Sequence, residues 1–125
     1  MNLRTGVDLI EISRVRDAID RHGERLVSRI FTENEQRDSS GKFASLAARF
    51  AAKEAGAKAL GCGFGPIGWL EIEIISDENR MPHLLLHGKA RKLANELGLS
   101  NWSVSLSHTE NQAVAFVVAM SDILS

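Results

Sequence analysis

The segment from Phe43 to Leu60 constrains the fold of this 125-residue chain more than any other part of it. It is rich in alanine, contains no proline and is followed by Gly61, a residue type that often ends helices. These features predict one long helix. The chain length and the apolar fraction of 44% indicate a single globular domain, residues 1–125, that contains this helix.

Segments of alternating polarity predict strands on both sides of this helix in the sequence. The expected strands are residues 3–12, a hairpin of 69–76 with 83–87, and a second hairpin of 102–107 with 113–120. Shorter helices are expected from a Ser13 cap to His22, where Gly23 ends the helix, from a Thr32–Glu35 capping box, and over 89–97. Loops are expected at 38–42 and 61–68. This order predicts an α+β fold with a mainly antiparallel sheet packed on a long central helix.

The overall charge excludes some classes of partner. The net charge is −1 and the pI is about 6.4, which gives no case for general binding of nucleic acid or of a membrane surface. The sequence has no signal-peptide pattern and no apolar run of membrane-spanning length, so a cytoplasmic protein is expected. The lone Cys62 lies between two glycines and fits a small loop filler better than a nucleophile.

An acidic residue interrupts the apolar side of the long helix. At about 100° per residue, Phe43, Ala47, Phe50 and Ala57 lie along one stripe, and Glu54 falls inside it. Burying an unpaired carboxylate costs several kcal/mol or raises its pKa until it is neutral. The chain is therefore expected to supply a cation for Glu54.

Two interpretations of this carboxylate stay open from helix geometry. Lys58 lies one turn later, where it could form a plain salt bridge with Glu54. Asp8 favours a second interpretation, because aspartate is a poor strand former and here it lies between Val7 and Leu9. Asp8 would either cap a turn at the end of its strand or join Glu54 as an oxygen ligand. Mg²⁺ prefers one or two carboxylates together with waters and phosphate oxygens.

Two further segments fit a ligand that carries phosphate. The glycine-rich loop at 61–65 lets backbone N–H groups approach a ligand closely. Ser107, His108 and Thr109 form, with Ser105, a polar cluster at the end of a strand. This cluster fits a phosphate site and a plain polar hairpin turn about equally well.

Four arginines lie close together after the first strand: Arg14, Arg16, Arg21 and Arg25. Acidic residues are interspersed among them, so they fit a solvated helix face. They also fit a docking surface for an acidic partner.

These residues, taken in order, resemble the holo-acyl-carrier-protein synthases, the small bacterial class of phosphopantetheinyl transferases. Two segments carry most of the resemblance: Gly6 to Ile12 with Arg14 after it, and Arg49 to Ala55 continued by residues 58–61. Residues 31–35, Trp69 with 71–74, and 105–109 followed by 113–115 also resemble the family. The resemblance thus runs over nearly the whole chain.

The resemblance implies a transfer reaction that supports fatty acid biosynthesis. The phosphopantetheine arm of coenzyme A would pass to a serine of apo acyl carrier protein and leave adenosine 3′,5′-bisphosphate. Asp8, Glu54 and Lys58 would be the catalytic residues, with Asp8 and Glu54 holding Mg²⁺ against the pyrophosphate and Lys58 contacting phosphate. The serine proton would pass to a metal-associated water or to Glu54, and both remain open.

The resemblance also implies where the substrates bind. Coenzyme A is expected at Arg49, Lys58, Gly61, Pro82, Ser107, His108 and Thr109. The acidic helix of the carrier protein is expected to dock on Arg14, Arg16 and Arg21. A homotrimer with active sites between subunits is also implied.

One departure from the family pattern precedes Pro82. Here the order is Asn79-Arg80-Met81, where the family usually has a glycine and a basic residue. Asparagine tolerates a positive φ better than most residues, so Asn79 is expected to preserve the turn.

Two other functions stay open on the sequence. The chain could be a non-catalytic coenzyme-binding module that keeps the scaffold. It could also be a structural homo-oligomer with a Glu–Lys pair at its interface.

Overall fold

The computed structural model describes residues 2–122 of the chain. Its helices in this range are α1 (Ile12–His22), α2 (Glu24–Ile30), α3 (Glu33–Ser39), α4 (Phe43–Leu60) and α5 (Gly88–Glu96). Its strands are β1 (Leu3–Glu11), β2 (Ile72–Ser76), β3 (Pro82–Leu86), β4 (Asn101–His108) and β5 (Gln112–Met120). No helix within residues 2–122 is long and apolar enough to cross a membrane.

The strands form two antiparallel sheets. One has three strands in the order β1-β5-β4, and the other is the β2-β3 hairpin. The predicted α+β fold, the long helix ended by Gly61 and both hairpins are confirmed. The two sheets stay separate because they contact different sides of α4: Gly6 of β1 meets Ala55, and Ile72 of β2 meets Gly56.

The contact between β1 and α4 requires a glycine. A Cβ built on Gly6 would lie 1.8 Å from the carbonyl oxygen of Ala55, so any side chain there would force the strand and the helix apart. Small residues serve the same purpose along the helix. The alanines at 47, 51, 52, 55, 57 and 59 are all buried, which lets α4 approach its neighbours on most of its sides.

The helices before α4 differ from the prediction mainly at their ends. The helix α1 begins at Ile12 with Glu11 at its N-cap, so the predicted Ser13 cap is wrong. The Glu11 carboxylate accepts a hydrogen bond from the Gln112 amide at 2.8 Å instead of capping the helix. Gly23, with φ of 65°, ends α1 as predicted, and α2 follows it where no helix was expected.

The capping box at the start of α3 is confirmed. The Thr32 hydroxyl accepts from the Glu35 N–H at 3.1 Å, and the Glu35 carboxylate accepts from the Thr32 N–H at 2.9 Å. The helix runs to Ser39, so the loop predicted from residue 38 starts later, at Ser40.

The segment before β2 is not a strand, contrary to the prediction. Residues 69–71 form a 3₁₀ turn. The Trp69 ring stacks on Phe64 and on Phe50, with centroid distances of 3.7 and 5.1 Å, and the Glu71 carboxylate accepts an N–H at the start of α5. These contacts hold both side chains away from the alternating directions of a strand.

The turn between β2 and β3 forms, but with a different residue at positive φ. Arg80 has φ of 64°, and Asn79 does not lie in this region. One Asp77 carboxylate oxygen accepts the N–H groups of Asn79 and Met81 at 2.8 and 3.0 Å. Because these bonds fix the residues on both sides, the left-handed conformation falls on Arg80. The turn is thus preserved as expected, but Arg80 takes the positive φ that was expected at Asn79.

Candidate active site

Asp8 lies beside α4 because β1 crosses the helix at Gly6. Residues two apart in a strand share a face, so Asp8 points toward the same side as Gly6. The strand continues to Glu11 and pairs Asp8 with Ala115 of β5, so Asp8 is not a cap at the end of its strand. Its side chain is 21% exposed, which leaves the carboxylate within reach of a ligand.

Lys58 reaches from α4 to this stretch of β1. Its Nζ donates to the carbonyl oxygen of Val7 at 2.9 Å and lies 3.3 Å from Oδ1 of Asp8. The side chain is 55% exposed. Within residues 2–122, the ion pairs of Lys58 include Asp8 and do not include Glu54, so the simple Glu54–Lys58 salt bridge is absent from this part of the chain.

Glu54 completes a group of three charges. Burial raises the pKa of Glu54, the nearby Asp8 carboxylate raises it further, and Lys58 opposes both. Glu54 lies in the apolar row as predicted, but the row is only partly buried. Glu54 and Phe50 are only half-buried, and Lys58 in the same row is exposed. The two alanines of this row are fully buried, so the row combines buried and partly exposed positions.

The donor set fits a hard divalent cation. Asp8 and Glu54 offer carboxylate oxygens near one another, and both remain partly exposed. Across residues 2–122 no group of three or more His, Cys, Asp and Glu residues could enclose a metal. A site with two carboxylates suits Mg²⁺, which keeps several waters and takes substrate phosphate oxygens, better than it suits a metal that needs a full protein cage.

The other expected coenzyme contacts lie at separate places in the chain. Arg49 is buried and donates to Ser45, to Ser76 at 2.8 Å and to the Ile74 carbonyl, so its donors hold β2 against α4. Burial lowers the pKa of Arg49, with Asp38 and Glu35 opposing. Gly61, with φ of 77°, ends α4 beside Arg4, and Pro82 is the first residue of β3.

The polar cluster at the β4–β5 turn is divided between two faces. Asp8 and Leu106 both pair with Ala115 of β5, so they share one face of the sheet. Successive residues of a strand alternate between faces, so Ser107 points to the opposite face. The Thr109 hydroxyl accepts two N–H groups of the turn, at 3.2 and 3.1 Å. The Nδ1 atom of exposed His108 lies 3.1 Å from the Thr109 carbonyl oxygen. A single chain therefore does not bring Ser107 to the carboxylates.

The three arginines expected to dock the carrier protein are exposed on α1, but they do not share one face. Arg14 and Arg21 are seven residues apart, which returns them to nearly the same side of a helix. Arg14 also borders an apolar groove that includes Val15 and Phe31. Arg16 points to the other side and pairs with Asp17 at 3.6 Å.

A buried ionic cluster was missed by the sequence analysis. Lys53 and Glu35 form an ion pair at 2.8 Å with both side chains fully buried. Lys53 also donates to two backbone carbonyls near β2, and the second Glu35 oxygen accepts the N–H of Ile74 at 3.0 Å. Lys53 lies next to Glu54 in the sequence, and Glu35 belongs to the predicted capping box. No local sequence pattern, however, indicates that Lys53 and Glu35 pair with each other.

A second buried carboxylate lies close to this pair. Glu73 accepts from Thr32 at 2.6 Å and from Asn34 at 3.2 Å, and it lies 3.0 Å from His87 Nε2. Burial alone would raise the pKa of Glu73, but the hydrogen bonds from Thr32, His87 and Asn34 together hold it below the ordinary value.

Cys62 packs half-buried against the core. Burial raises the pKa of its thiol, which favours the neutral form and agrees with a filler of the loop.

Comparison with known proteins establishes the family. Residues 4–117 match the family model ACPS, described as the 4′-phosphopantetheinyl transferase superfamily. The chain belongs to this superfamily. The predicted resemblance and the predicted class of enzyme, a phosphopantetheinyl transferase, are confirmed.

Individual members of the superfamily are similar over almost their full length. The holo-[acyl-carrier-protein] synthase of Herpetosiphon aurantiacus is 53% identical, with 94% of this chain and 98% of the relative covered. That of Moorella thermoacetica is 48% identical, covering 95% and 94%. The solved synthase of Helicobacter pylori in complex with coenzyme A has a TM-score of 0.85 at 28% identity, covering 93% and 99%.

Proposed function

We propose that this chain transfers the 4′-phosphopantetheine arm of coenzyme A to a serine of apo acyl carrier protein in a Mg²⁺-dependent reaction. The products are holo carrier protein and adenosine 3′,5′-bisphosphate, and the reaction serves fatty acid biosynthesis in the cytoplasm. The observation that carries the proposal is the cluster of Asp8, Glu54 and Lys58 where β1 crosses α4.

The charges of this cluster match what the reaction requires. Attack on a pyrophosphate needs its oxygens neutralised and the nucleophile held in line. Asp8 and Glu54 would hold Mg²⁺, which supplies positive charge to the phosphate oxygens when bound. Lys58 is more than half exposed and would direct its ammonium at the same oxygens. Glu54, whose pKa is raised, is one candidate to accept the serine proton, and a water held by the carboxylates is the other.

The docking surface for the carrier protein is the exposed side of α1. Arg14 and Arg21 share that side and would meet an acidic helix, while the apolar groove beside Arg14 would receive its apolar residues. Arg16 would contribute less, because it points away and already pairs with Asp17.

The active site would be completed by a second subunit of a homotrimer. One face of the three-stranded sheet exposes more apolar surface than is usual for a monomer. Its exposed apolar side chains are Leu3 (60%), Val7 (53%), Leu9 (61%) and Phe116 (45%). Ser107 lies on that same face, opposite Asp8, so contact between subunits would unite coenzyme contacts that one chain keeps apart. Light scattering is expected to give a trimer. The Phe116→Glu variant should dissociate it, whereas Leu85→Glu, an exposed apolar control, should not.

The transfer itself is tested with the purified full chain, coenzyme A, Mg²⁺ and apo carrier protein. Intact-mass spectrometry should show carrier protein gaining one phosphopantetheine. Calorimetry on the same sample separates an enzyme from a binding module. Coenzyme binding without any mass gain on several carrier proteins would support the binding module and refute the transfer reaction.

A further inference from the structure

Lys58 makes two contacts of different kinds with neighbouring residues of β1. The Val7 carbonyl oxygen accepts a hydrogen bond from the Lys58 ammonium at 2.9 Å, and the charged oxygen Oδ1 of Asp8 lies 3.3 Å from the same Nζ atom. The shorter contact is to the neutral backbone group, which is part of the strand and cannot move away. The longer contact is to a side chain that has 21% of its surface exposed and can rotate.

The Asp8 carboxylate therefore already has a cation. The Asp8 carboxylate lies close enough to Glu54 to disfavour the negative charge of Glu54, and the ammonium of Lys58 offsets part of that repulsion. A divalent cation bound by Asp8 would compete with Lys58 for the negative charge of the carboxylate. It would also repel the ammonium, because two positive charges cannot share one short contact in a partly buried site.

We propose that Lys58 is the resident counter-ion of Asp8, and that it gives up Asp8 when a divalent cation binds while the Val7 carbonyl keeps its ammonium beside the site. This inference rests on the metal-binding part of the proposed function. Lys58 would thus have two arrangements, and its hydrogen bond to the Val7 carbonyl would be present in both. In the metal-free chain it neutralises Asp8, and in the loaded chain its released donors are free for a phosphate oxygen.

The arrangement has a consequence for metal affinity. A cation that binds Asp8 competes with the ammonium of Lys58 for the carboxylate, so Lys58 weakens metal binding in the absence of coenzyme. A phosphate that engages the released ammonium would remove this competition. By linkage, coenzyme and metal should each strengthen the binding of the other.

The test is binding of Mn²⁺ to the coenzyme-free full chain, measured by calorimetry and by electron paramagnetic resonance. Lys58→Gln should tighten the dissociation constant by about 3- to 10-fold. Arg4→Gln is the matched control. Arg4 has the same charge as Lys58 and lies on the same face of β1 as Asp8, but it forms no ion pair with Asp8 among residues 2–122. It should change the constant by less than 2-fold. An unchanged or weaker constant for Lys58→Gln, or equal tightening in both variants, would overturn the inference.

A second measurement separates direct competition from general repulsion. In an Asp8→Asn background, adding Lys58→Gln should alter the Mn²⁺ constant by less than 2-fold, because there is no ion pair left to break. Tightening that persists at full size in this background would overturn the inference. So would a failure of both the wild type and Lys58→Gln to bind Mn²⁺ at all.

The transfer assay keeps this inference distinct from the proposed function. If Lys58→Gln tightens Mn²⁺ binding but the wild type modifies no carrier protein, the counter-ion role stands and the proposed reaction fails. If the wild type modifies carrier protein and Lys58→Gln leaves the constant unchanged, the reaction stands and the counter-ion role fails.

Discussion

Lys53 and Lys58 both lie on α4, and each faces a carboxylate from another element. Lys53 pairs with Glu35 at 2.8 Å with both side chains fully buried, whereas Lys58 and Asp8 are 3.3 Å apart and 55% and 21% exposed. Burial decides what each pair can do. The inner pair has all its partners within the protein and ties α3 to α4 and β2. The outer pair keeps donors and acceptors that a ligand can take over.

The largest expected effect comes from breaking the inner pair. Lys53→Met leaves the Glu35 carboxylate buried without its cation, which should lower the free energy of unfolding by about 3–5 kcal/mol. Urea denaturation followed by circular dichroism measures this loss. Adding Glu35→Gln to Lys53→Met should recover part of it, because the buried charge is then gone. A single variant as stable as the wild type would refute the structural role.

The outer pair should show the reverse balance. Lys58→Gln should change the free energy of unfolding by no more than about 1 kcal/mol, since exposed ion pairs contribute little. It should lower kcat/KM for carrier-protein modification by about 10- to 100-fold, because a phosphate contact is lost. Steady-state kinetics and urea denaturation on the same preparation give both values. A Lys58→Gln variant that loses stability but keeps its activity would contradict the assignment of this pair to the site of transfer.

A smaller, pH-dependent effect is expected at Glu73, on the buried side. Its hydrogen bonds hold its pKa below the ordinary value for glutamate, so the folded state binds the proton less readily than the unfolded state. The stability that this carboxylate contributes is therefore present above the unfolded pKa and is lost as the pH falls through the lower folded pKa. Glu73→Gln should cost about 1–2 kcal/mol at pH 7. Thermal melts of both proteins should converge in acid, and a constant difference down to pH 3 would contradict this explanation.

The same contrast explains which features the sequence could predict. The helix α4, its Gly61 end and the Thr32–Glu35 capping box follow from neighbours in the chain, and the structure confirms them. The pairing of Lys58 with Asp8 does not, because it depends on β1 crossing α4 at Gly6, a contact between residues far apart in sequence. The spacing of four residues along α4 instead indicated Glu54 as the partner of Lys58.

Other misses have the same origin. The row that contains Glu54 is apolar as predicted, but only its two alanines are fully buried, because helix periodicity finds the apolar row and not the positions that meet neighbours. Alanines on the other sides of α4 are buried as well, because the sheets approach them closely. The 3₁₀ turn at 69–71 likewise results from aromatic stacking with Phe50 and Phe64, which no alternation of polarity encodes.

The central claim is that Asp8, Glu54 and Lys58 form the site of transfer, while the inner pair serves the fold. The most direct test is carrier-protein modification by Glu54→Gln, followed by intact-mass spectrometry, with the exposed Glu96→Gln as the matched control. Glu54→Gln should melt no lower than the wild type and lose about 100-fold or more of the transfer rate, and Glu96→Gln should keep both. A folded Glu54→Gln variant that modifies carrier protein at the wild-type rate would contradict the claim.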